Sequence, residues 1–409
     1  MNLRLYFVLF LVVAVLGLAA RYLIRRAGET FALGPRSQRA LTVILFGALV
    51  VTAATRLFEN RLPPGRLGPL ATASFTIVLS ATISAVLLAL LDLVGWSWRS
   101  IRWSWRSIDR RSRPRAPEAP PVVLPPPPVT RRSFLAQTAA GSVIAVGSGS
   151  SLYGALVGRH DYALEEVPVR ITGLARALDG FTIAQLSDIH LGLFVGEREM
   201  RAAEDLVRRA RPDLIVLTGD LVDHEPREAE SLGRLITRLS PLARGGVIAI
   251  PGNHDYYTGI GAVTSALTRA GARVLVNDGL VIGGGFALLG LDDVRGPRVD
   301  PRSVGPDLSR ALSRVPEAKD LPRVVLCHNP VVFQRVIGEV DLMLSGHTHG
   351  GQLNLGVRLA DVVLRHPFIA GRYERGGSQI YVNRGFGTAG PPARVGSPPE
   401  VSRIVLVSG

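Results

Sequence analysis

Several residue types are scarce in this chain of 409 residues, which has one cysteine, Cys327, and one lysine, Lys319. A single cysteine excludes an internal disulfide framework and a metal site built from several thiolates, and we expect Cys327 to be a small buried side chain. Acidic residues are scarce before residue 161, where 19 arginines accompany 5 acids and give a net charge of +14. Residues 161–409 hold 28 basic and 28 acidic residues. Because that part carries no excess positive charge, no nucleic-acid partner is expected.

The first hundred residues contain three long apolar runs, at 5–20, 41–58 and 70–91. The third run has no charged residue and would extend about 33 Å as a helix, enough to cross the hydrocarbon core of a bilayer. Arg21 and Arg56 can snorkel to the interface and lengthen the two shorter runs. The pattern predicts a transmembrane region over 1–112 with the lipid bilayer as its partner. Core helices of a soluble domain are the alternative.

The third run ends at Asp92 and is followed by a tandem heptad of tryptophan and arginine over 96–109. Alternating indoles and guanidiniums suit the headgroup layer of a membrane, although a recent duplication without further function explains the repeat equally simply. Residues 113–129 are rich in proline and predict an extended linker without a core.

A sequence similar to a twin-arginine export signal begins at Thr130, where Arg131 and Arg132 precede a serine, a phenylalanine and a leucine. A mildly apolar stretch follows, so we predict that 130–158 is a signal region or a fourth span, with the twin-arginine export machinery as a partner. No clear cleavage site follows it, which favours an anchor.

Arginine counts in the connecting segments predict the topology of the spans. Five arginines lie in 21–40 and nine in 96–132, against one in 1–4 and three in 56–69. The positive-inside rule places the two arginine-rich segments in the cytoplasm. Four spans would then leave the C-terminal domain on the outer face of the plasma (inner) membrane.

From Phe181 onward, short apolar runs predicted to be strands alternate with amphipathic segments predicted to be helices. The predicted strands are Phe181–Ser187, Leu214–Thr218, Val247–Ile250, Val324–Leu326 and Leu342–Leu344. The predicted helices are Glu197–Ala210 and about 228–240. Each strand is followed by Asp, Asn or His, so we predict an α/β fold whose polar groups meet at one sheet edge.

Seven of these polar residues form a nitrogen and oxygen ligand set without sulfur: Asp188, His190, Asp220, Asn253, His328, His347 and His349. Such donors suit Mn, Fe, Zn or Co. Seven ligands exceed what one ion takes from a protein, so the set predicts two divalent ions with a carboxylate such as Asp220 between them.

The order of these motifs resembles the calcineurin-like metallophosphoesterase family, whose fold is an αββα sandwich. The resemblance covers 165–409, and the string from Gly346 to Gln352 is similar to a membrane-associated or twin-arginine-exported bacterial subgroup, with vertebrate relatives called transmembrane protein with metallophosphoesterase domain. It implies that one ion is held by Asp188, His190, Asp220 and His349. It implies that the other is held by Asp220, Asn253, His328 and His347.

The resemblance also implies the mechanism, in which two cations lower the pKa of a bridging water so that hydroxide attacks phosphorus in line. His254 would be the catalytic imidazole at the leaving group. Asp223 and Asp255 are candidates to orient these groups, and Arg384 is a candidate phosphate contact. Asp292 and Asp293 are expected to cap a strand end, and 255–262 and 355–376 are expected to be substrate loops. We expect His160, His224 and His366 to be surface or loop residues.

Three hypotheses about function remain at this stage. The first is a membrane-anchored phosphohydrolase, specifically a phosphodiesterase, acting on a phosphoester that is linked to a lipid or to the cell envelope. The second is a lipid-linked pyrophosphatase similar to a UDP-2,3-diacylglucosamine hydrolase, which would need its site in the cytoplasm. The third is a non-enzymatic metal-binding surface module.

Overall fold

The computed structural model describes residues 3–58, 64–109, 130–356 and 367–409. For residues 3–9, 64–66, 98–109 and 132 it describes the backbone alone. The chain divides into two compact units, the first comprising residues 1–57 and 73–152 and the second comprising residues 58–72 and 153–409.

Four long helices begin the chain: α1 (Leu3–Phe31), α2 (Pro35–Phe58), α3 (Pro64–Asp109) and α4 (Arg131–Leu156). Proline suits the first position of a helix because its missing N–H would have no partner there. The helical stretches Pro35–Phe58, Leu67–Ser97 and Ser133–His160 are long and apolar enough to cross a membrane, judged by length and composition. They contain the predicted runs 41–58 and 70–91. The run 5–20 falls on α1, and the side chains of residues 3–9 lie outside those described.

The helix α3 does not end at Asp92, where the sequence predicted the end of a span. Asp92 accepts hydrogen bonds from Tyr22 (2.8 Å) and from the guanidinium of Arg26 (2.9 Å), so its charge is paired within the first unit. Trp96 is exposed. The side chains of the other three tryptophans and the whole predicted linker 113–129 lie outside the described residues.

The twin-arginine-like motif forms the first turn of α4. Thr130 lies just before the helix, and its hydroxyl accepts a hydrogen bond from the backbone amide of Ser133 at 3.1 Å. This is the N-cap arrangement, which satisfies one of the amide groups that a helix start leaves unpaired.

The second unit contains two six-stranded mixed sheets. In the described residues the strands are β1 (Ala163–Ile171), β2 (Thr182–Leu186), β3 (Leu214–Thr218), β4 (Val247–Ile250), β5 (Arg273–Val274), β6 (Asp278–Ile282), β7 (Phe286–Gly290), β8 (Arg323–Leu326), β9 (Leu342–Ser345), β10 (Gly371–Arg375), β11 (Ser378–Val382) and β12 (Glu400–Ser408). The first sheet has the order β1-β12-β2-β3-β4-β5 and the second the order β10-β11-β9-β8-β7-β6. All five predicted strands are confirmed.

Helices cover the outer face of each sheet. The helices of this unit in the described residues are α5 (Glu197–Ala210), α6 (Glu228–Leu239), α7 (Asn253–Thr258), α8 (Ile260–Arg269), α9 (Gly296–Val299), α10 (Leu308–Ser313) and α11 (Phe333–Val336). One buried cluster packs α5, α6 and α8 on the first sheet, and another packs α10 and α11 on the second. A third cluster, which includes Ile183 and Leu344, joins the inner faces of the two sheets. The predicted αββα architecture is therefore confirmed.

Candidate metal centre

The predicted ligands follow the carboxyl ends of parallel strands in both sheets. The strands β2, β3 and β4 are parallel neighbours in the first sheet, as are β8 and β9 in the second. Parallel strands deliver the residues after their carboxyl ends to one edge of a sheet, which is where open α/β folds place their sites. All seven predicted ligand residues therefore lie on one side of the second unit.

A first group of donor atoms is formed by Asp188, His190 and His349. Nε2 of His190 lies 3.1 Å from Nε2 of His349, which lies 3.4 Å from Oδ1 of Asp188. Oδ2 of Asp220 lies 3.7 Å from Nε2 of His190. These are the four side chains that the sequence assigned to one ion.

A second group is formed by Asp220, His328 and His347. Nε2 of His328 lies 3.1 Å from Oδ2 of Asp220 and 3.2 Å from Nδ1 of His347. The side-chain oxygen of Asn253 is buried and accepts no hydrogen bond from the described residues. A buried amide oxygen without a partner is costly, and the amide of the next residue, His254, donates to Asp220, so this oxygen fits the role of a further ligand.

Hydrogen bonds to the second ring nitrogen fix the tautomers of two of these histidines. Nδ1 of His328 lies 2.8 Å from the carbonyl oxygen of Thr218, and Nδ1 of His190 lies 3.3 Å from Oδ1 of Asp223. Because a carbonyl or a carboxylate can only accept, each Nδ1 carries a proton, and in the neutral ring each Nε2 keeps its lone pair for an ion. This is the usual way in which proteins orient metal-binding imidazoles.

Five of the predicted ligands have a strained backbone. Among the described residues other than glycine, nine have a positive φ, and five of these are Asp188, His190, Asp220, His347 and His349. Such conformations cost of order 1–3 kcal/mol each and persist where the surroundings enforce them, which is typical of functional sites. Hydrogen bonds between distant segments stabilise these conformations, since the amide of His347 donates to Asp188 and the amide of His254 donates to Asp220.

The buried charges of the centre are strongly coupled. Burial would raise the pKa of Asp220, but the His328 imidazole holds that pKa well below its usual range. Burial would lower the pKa of His328, but Asp220 and Asp188 raise it well above its usual value. Burial raises the pKa of Asp188. The carboxylates and imidazoles thus compensate one another in a region where two cations could replace protons.

His254 lies beside both groups of ligands and is oriented by Asp223. Its Nδ1 lies 3.0 Å from the backbone carbonyl oxygen of Asp223 and 3.3 Å from Oδ1 of the same residue. Burial would lower the pKa of His254, but the hydrogen bond to Asp223 and the charge of Asp220 raise it to about 9. In the metal-free protein the imidazole is therefore protonated at neutral pH.

Two other residues predicted to support the site have different roles in the structure. Asp255 does not touch His254. Its carboxylate accepts from the amides of Leu221 (2.9 Å) and Gly252 (2.9 Å) and so fixes the backbone beside Asp220. Arg384 forms ion pairs with Glu165 (2.5 Å) and Glu400 (2.6 Å), and the phosphate contact predicted for it stays a prediction.

The sequence did not reveal two residues that contact the site. His224, expected to be an ordinary loop residue, has its Nδ1 3.0 Å from Asp223 and its ring 5.2 Å from that of His254. Arg394 is fully buried and donates to Nδ1 of His349 at 3.2 Å. Burial, His190 and Arg394 together hold the pKa of His349 well below its usual range. Of these two residues, only His224 had a local signal in the sequence, because it lies four residues after the ligand Asp220.

Other predictions concern residues around the centre. Cys327 is buried next to His328, as expected. Asp292 accepts from the hydroxyls of Tyr256 (2.5 Å) and Ser303 (2.6 Å) after β7 ends. The segment 255–262, predicted to be a loop, lies in α7 and α8. Of the predicted loop 355–376, residues 357–366 lie outside the described residues, as does His366.

Comparison with known proteins agrees with this geometry. The chain matches the family model described as calcineurin-like phosphoesterase over residues 181–351. It is 36% identical over 230 residues to an uncharacterized metallophosphoesterase of Aquifex aeolicus (strain VF5), a match covering 56% of this chain and 85% of the relative. It is 30% identical over 296 residues to an uncharacterized metallophosphoesterase of Bacillus subtilis (strain 168), covering 68% of this chain and 98% of that protein.

A vertebrate relative is similar over the same region. The chain is 31% identical over 274 residues to the transmembrane protein with metallophosphoesterase domain of Bos taurus, covering 63% of this chain and 60% of the bovine protein. The chain thus spans less than two thirds of the length of that relative.

A two-sheet α/β fold with clustered carboxylate and imidazole ligands at one edge defines a metal-dependent hydrolase. The chain belongs to the calcineurin-like metallophosphoesterase family. It is a hydrolase that acts on phosphoric ester bonds. This finding does not support the non-enzymatic module.

Proposed function

We propose that this protein is a membrane-anchored phosphodiesterase that uses two divalent ions and a protonated His254. The observation that carries the proposal is the convergence of two ligand groups on Asp220. Its Oδ2 lies 3.1 Å from Nε2 of His328 and 3.7 Å from Nε2 of His190, between the two groups. The donor set is nitrogen and oxygen only, which fits Mn, Fe, Zn or Co.

The bound ions would supply Lewis-acid activation of the phosphoryl oxygens and of a water molecule. Asp188, His190, Asp220 and His349 would hold one ion, and Asp220, Asn253, His328 and His347 the other. The chain itself holds a proton on His254, through Asp223, for transfer to the oxygen that leaves phosphorus. As the bond to that oxygen breaks and the bond to the water oxygen forms, this proton turns the leaving group into a neutral alcohol.

The charge of the catalytic domain favours a diester substrate. Residues 161–409 have no net charge, which suits a singly charged ester better than a polyanion such as a nucleic acid.

The proposal is tested on the full chain in detergent, stripped of metal and reloaded with Mn²⁺. We expect metal-dependent hydrolysis of bis-p-nitrophenyl phosphate, and loss of at least about a thousandfold in Asp220→Asn because a ligand shared by both ions disappears. Asp205→Asn is the matched control, since Asp205 is exposed and pairs with Arg208 on α5. Hydrolysis of p-nitrophenyl phosphate alone would identify a monoesterase and contradict the proposal.

The membrane part of the proposal is supported by the three helices that are long and apolar enough to span a bilayer. We propose that the catalytic domain lies outside the cytoplasm of a bacterial cell and that 130–158 is read by the twin-arginine machinery. Reporter fusions after residue 160 should be active on the outer side, and fusions within 32–34 on the cytoplasmic side. Replacement of Arg131 and Arg132 by lysine should block export. A cytoplasmic reporter after residue 160 would instead favour the lipid-linked pyrophosphatase.

A further inference from the structure

The wall of the site next to His254 is formed by the helix that carries it. Tyr257 lies three residues further along α7, with its ring 5.5 Å from the His254 ring at an angle of 64°. The Tyr257 side chain is 48% exposed. A half-exposed aromatic ring beside the imidazole offers an apolar surface to the leaving group of a substrate.

The segment that follows β7 is fixed against the same helix. Tyr256 on α7 donates a 2.5 Å hydrogen bond to Asp292, which also accepts from Ser303 at 2.6 Å. Gly296 packs so closely on Tyr256 that a Cβ there would lie 3.0 Å from Cζ of the tyrosine. These contacts hold α9 against α7, so the backbone that carries Arg295 and Arg298 lies beside the helix of His254.

Two arginines of this segment carry charge without a carboxylate partner. Arg295 and Arg298 are exposed, and neither forms an ion pair with any residue in the described part of the chain. Arg302, a few residues further on, differs because Asp300 pairs with it at 2.8 Å. Burial raises the pKa of Tyr257, Arg295 and Arg298 lower it, and Asp293 and Asp220 raise it, so charges of both signs lie close enough to act on the tyrosine hydroxyl.

The acid two residues before Arg295 is not available to pair with its guanidinium. Asp293 is fully buried, its Oδ1 accepts from the backbone amide of Arg295 at 2.7 Å, and burial raises its pKa. A pair of exposed, uncompensated arginines beside an aromatic ring is the composition that binds carboxylate or phosphate groups.

We propose that Tyr257, Arg295 and Arg298 form a subsite for an anionic group on the leaving alcohol of the substrate. The inference rests on the proposed function, because it takes His254 to mark the leaving-group side. It narrows the substrate to phosphodiesters whose leaving alcohol carries a carboxylate or a second phosphate a few ångströms from the scissile bond. The aromatic ring would contact the body of that alcohol, and the two guanidiniums would bind its anionic group.

The test compares diesters that differ only in the leaving group. Methyl p-nitrophenyl phosphate has a neutral leaving phenol, whereas methyl 3-carboxy-4-nitrophenyl phosphate and its phosphonomethyl counterpart have anionic ones. We expect the full chain in detergent, loaded with Mn²⁺, to prefer the anionic esters in kcat/KM, chiefly through KM. Arg295→Gln and Arg298→Gln should each reduce this preference about fivefold, the upper range for exposed charge pairs, and added salt should reduce it as well. Arg302→Gln should leave the preference unchanged, because the charge of Arg302 is already paired with Asp300.

The outcomes separate the two proposals. The subsite is overturned if the wild type does not prefer either anionic ester. It is also overturned if Arg295→Gln and Arg298→Gln keep the same preference as Arg302→Gln. Neither result contradicts the phosphodiesterase proposal. Preference for only one of the anionic esters would support the subsite and identify its ligand as carboxylate or phosphate. If none of the three esters is hydrolysed, the phosphodiesterase proposal fails. The subsite is then tested by calorimetry, which compares the affinity for 5-hydroxy-2-nitrobenzoate with that for p-nitrophenol. Tighter binding of the anionic phenol that is lost in Arg295→Gln and Arg298→Gln supports the subsite. Equal affinity of the wild type for the two phenols overturns it.

Discussion

Oδ1 of Asp223 lies 3.3 Å from Nδ1 of His254, and the same oxygen lies 3.3 Å from Nδ1 of His190. One carboxylate therefore orients both an imidazole that would hold an ion and the imidazole that would protonate the leaving group. Burial would raise the pKa of Asp223, but its hydrogen bonds with His190, His224 and His254 hold it well below the usual range. Asp223 is thus ionised over the whole neutral range.

Removing this charge should change the protonation of His254. In metal-free Asp223→Asn we expect the pKa of His254 to fall from about 9 towards or below its ordinary value of 6.5, because burial then acts without the carboxylate that opposes it. The measurement is an NMR titration of the histidine ring signals. Asp205→Asn should leave the titration unchanged, and an unchanged midpoint in Asp223→Asn would show that Asp220 alone sets it.

The raised pKa of His254 also predicts how stability depends on pH. The folded state binds the proton more tightly than the unfolded state, so its contribution is fully present below pH 6.5 and is lost as the pH rises through about 9. The free energy of unfolding of the metal-free protein should decrease over this window, and less so in Asp223→Asn. Urea unfolding at a series of pH values measures it, and an equal decrease in both proteins would contradict the assignment.

Two of the buried asparagines provide a matched test of the second ion. Asn253 has a side-chain oxygen without a hydrogen-bond partner in the described residues, whereas that of Asn329 accepts from the amide of Val331 at 3.0 Å. Asn253→Ala should leave the metal-free protein as stable as the wild type but bind one ion fewer. Asn329→Ala should lose about 1 kcal/mol of stability and keep both ions. Mass spectrometry of the loaded proteins measures the metal content of both variants, and the melting temperature without metal measures their stability. Full metal content in Asn253→Ala would exclude Asn253 as a ligand.

The sequence was sufficient to predict the parts of the site that are local in the chain. Each ligand follows a strand within a few residues, as Asp220 follows Thr218, so a short motif reports both the strand and the donor. Contacts between distant segments leave no such trace. Arg394 reaches His349 across 45 residues, and Glu165 and Glu400 reach Arg384 from the two ends of the domain. The sequence also placed Asp255 beside His254 by adjacency, although helix α7 turns that side chain towards the amides of Leu221 and Gly252 instead.

Close backbone approach beside Asp220 should make one glycine irreplaceable. Gly219 has φ +86°, and a Cβ there would lie 2.7 Å from the amide nitrogen of Gly252 and 2.8 Å from Nδ1 of His328. Gly246 has φ +69° with nothing within 4 Å of its Cβ position. Gly246→Ala should cost about 1 kcal/mol from the left-handed backbone alone, and Gly219→Ala at least about 3 kcal/mol because of the added clash. Similar losses in chemical denaturation would mean that the two strands separate more easily than the structure implies.

Arg394 should be the residue that holds the last loops of the domain against the metal centre. Its guanidinium donates to the carbonyl oxygens of Arg384 (2.9 Å), Gly385 (3.0 Å), Gly387 (2.6 Å) and Ser397 (3.1 Å) as well as to His349. Arg394→Met keeps much of the volume but leaves these buried carbonyl groups without donors, so we expect a loss of about 3 kcal/mol or more.

Arg372→Met is the control for this prediction, since Arg372 donates one exposed hydrogen bond to the carbonyl oxygen of Pro168 and its loss should cost less than about 1 kcal/mol. Burial lowers the pKa of Arg394 to about 10, so the guanidinium stays charged and the wild-type bonds persist at neutral pH. If Arg394→Met is as stable as Arg372→Met in urea, water must replace the lost donors, and the loops from 384 to 397 are held by other contacts. A loss of stability that is restored in part by Arg394→Lys, which keeps a charge but fewer donors, would show that the several hydrogen bonds act together.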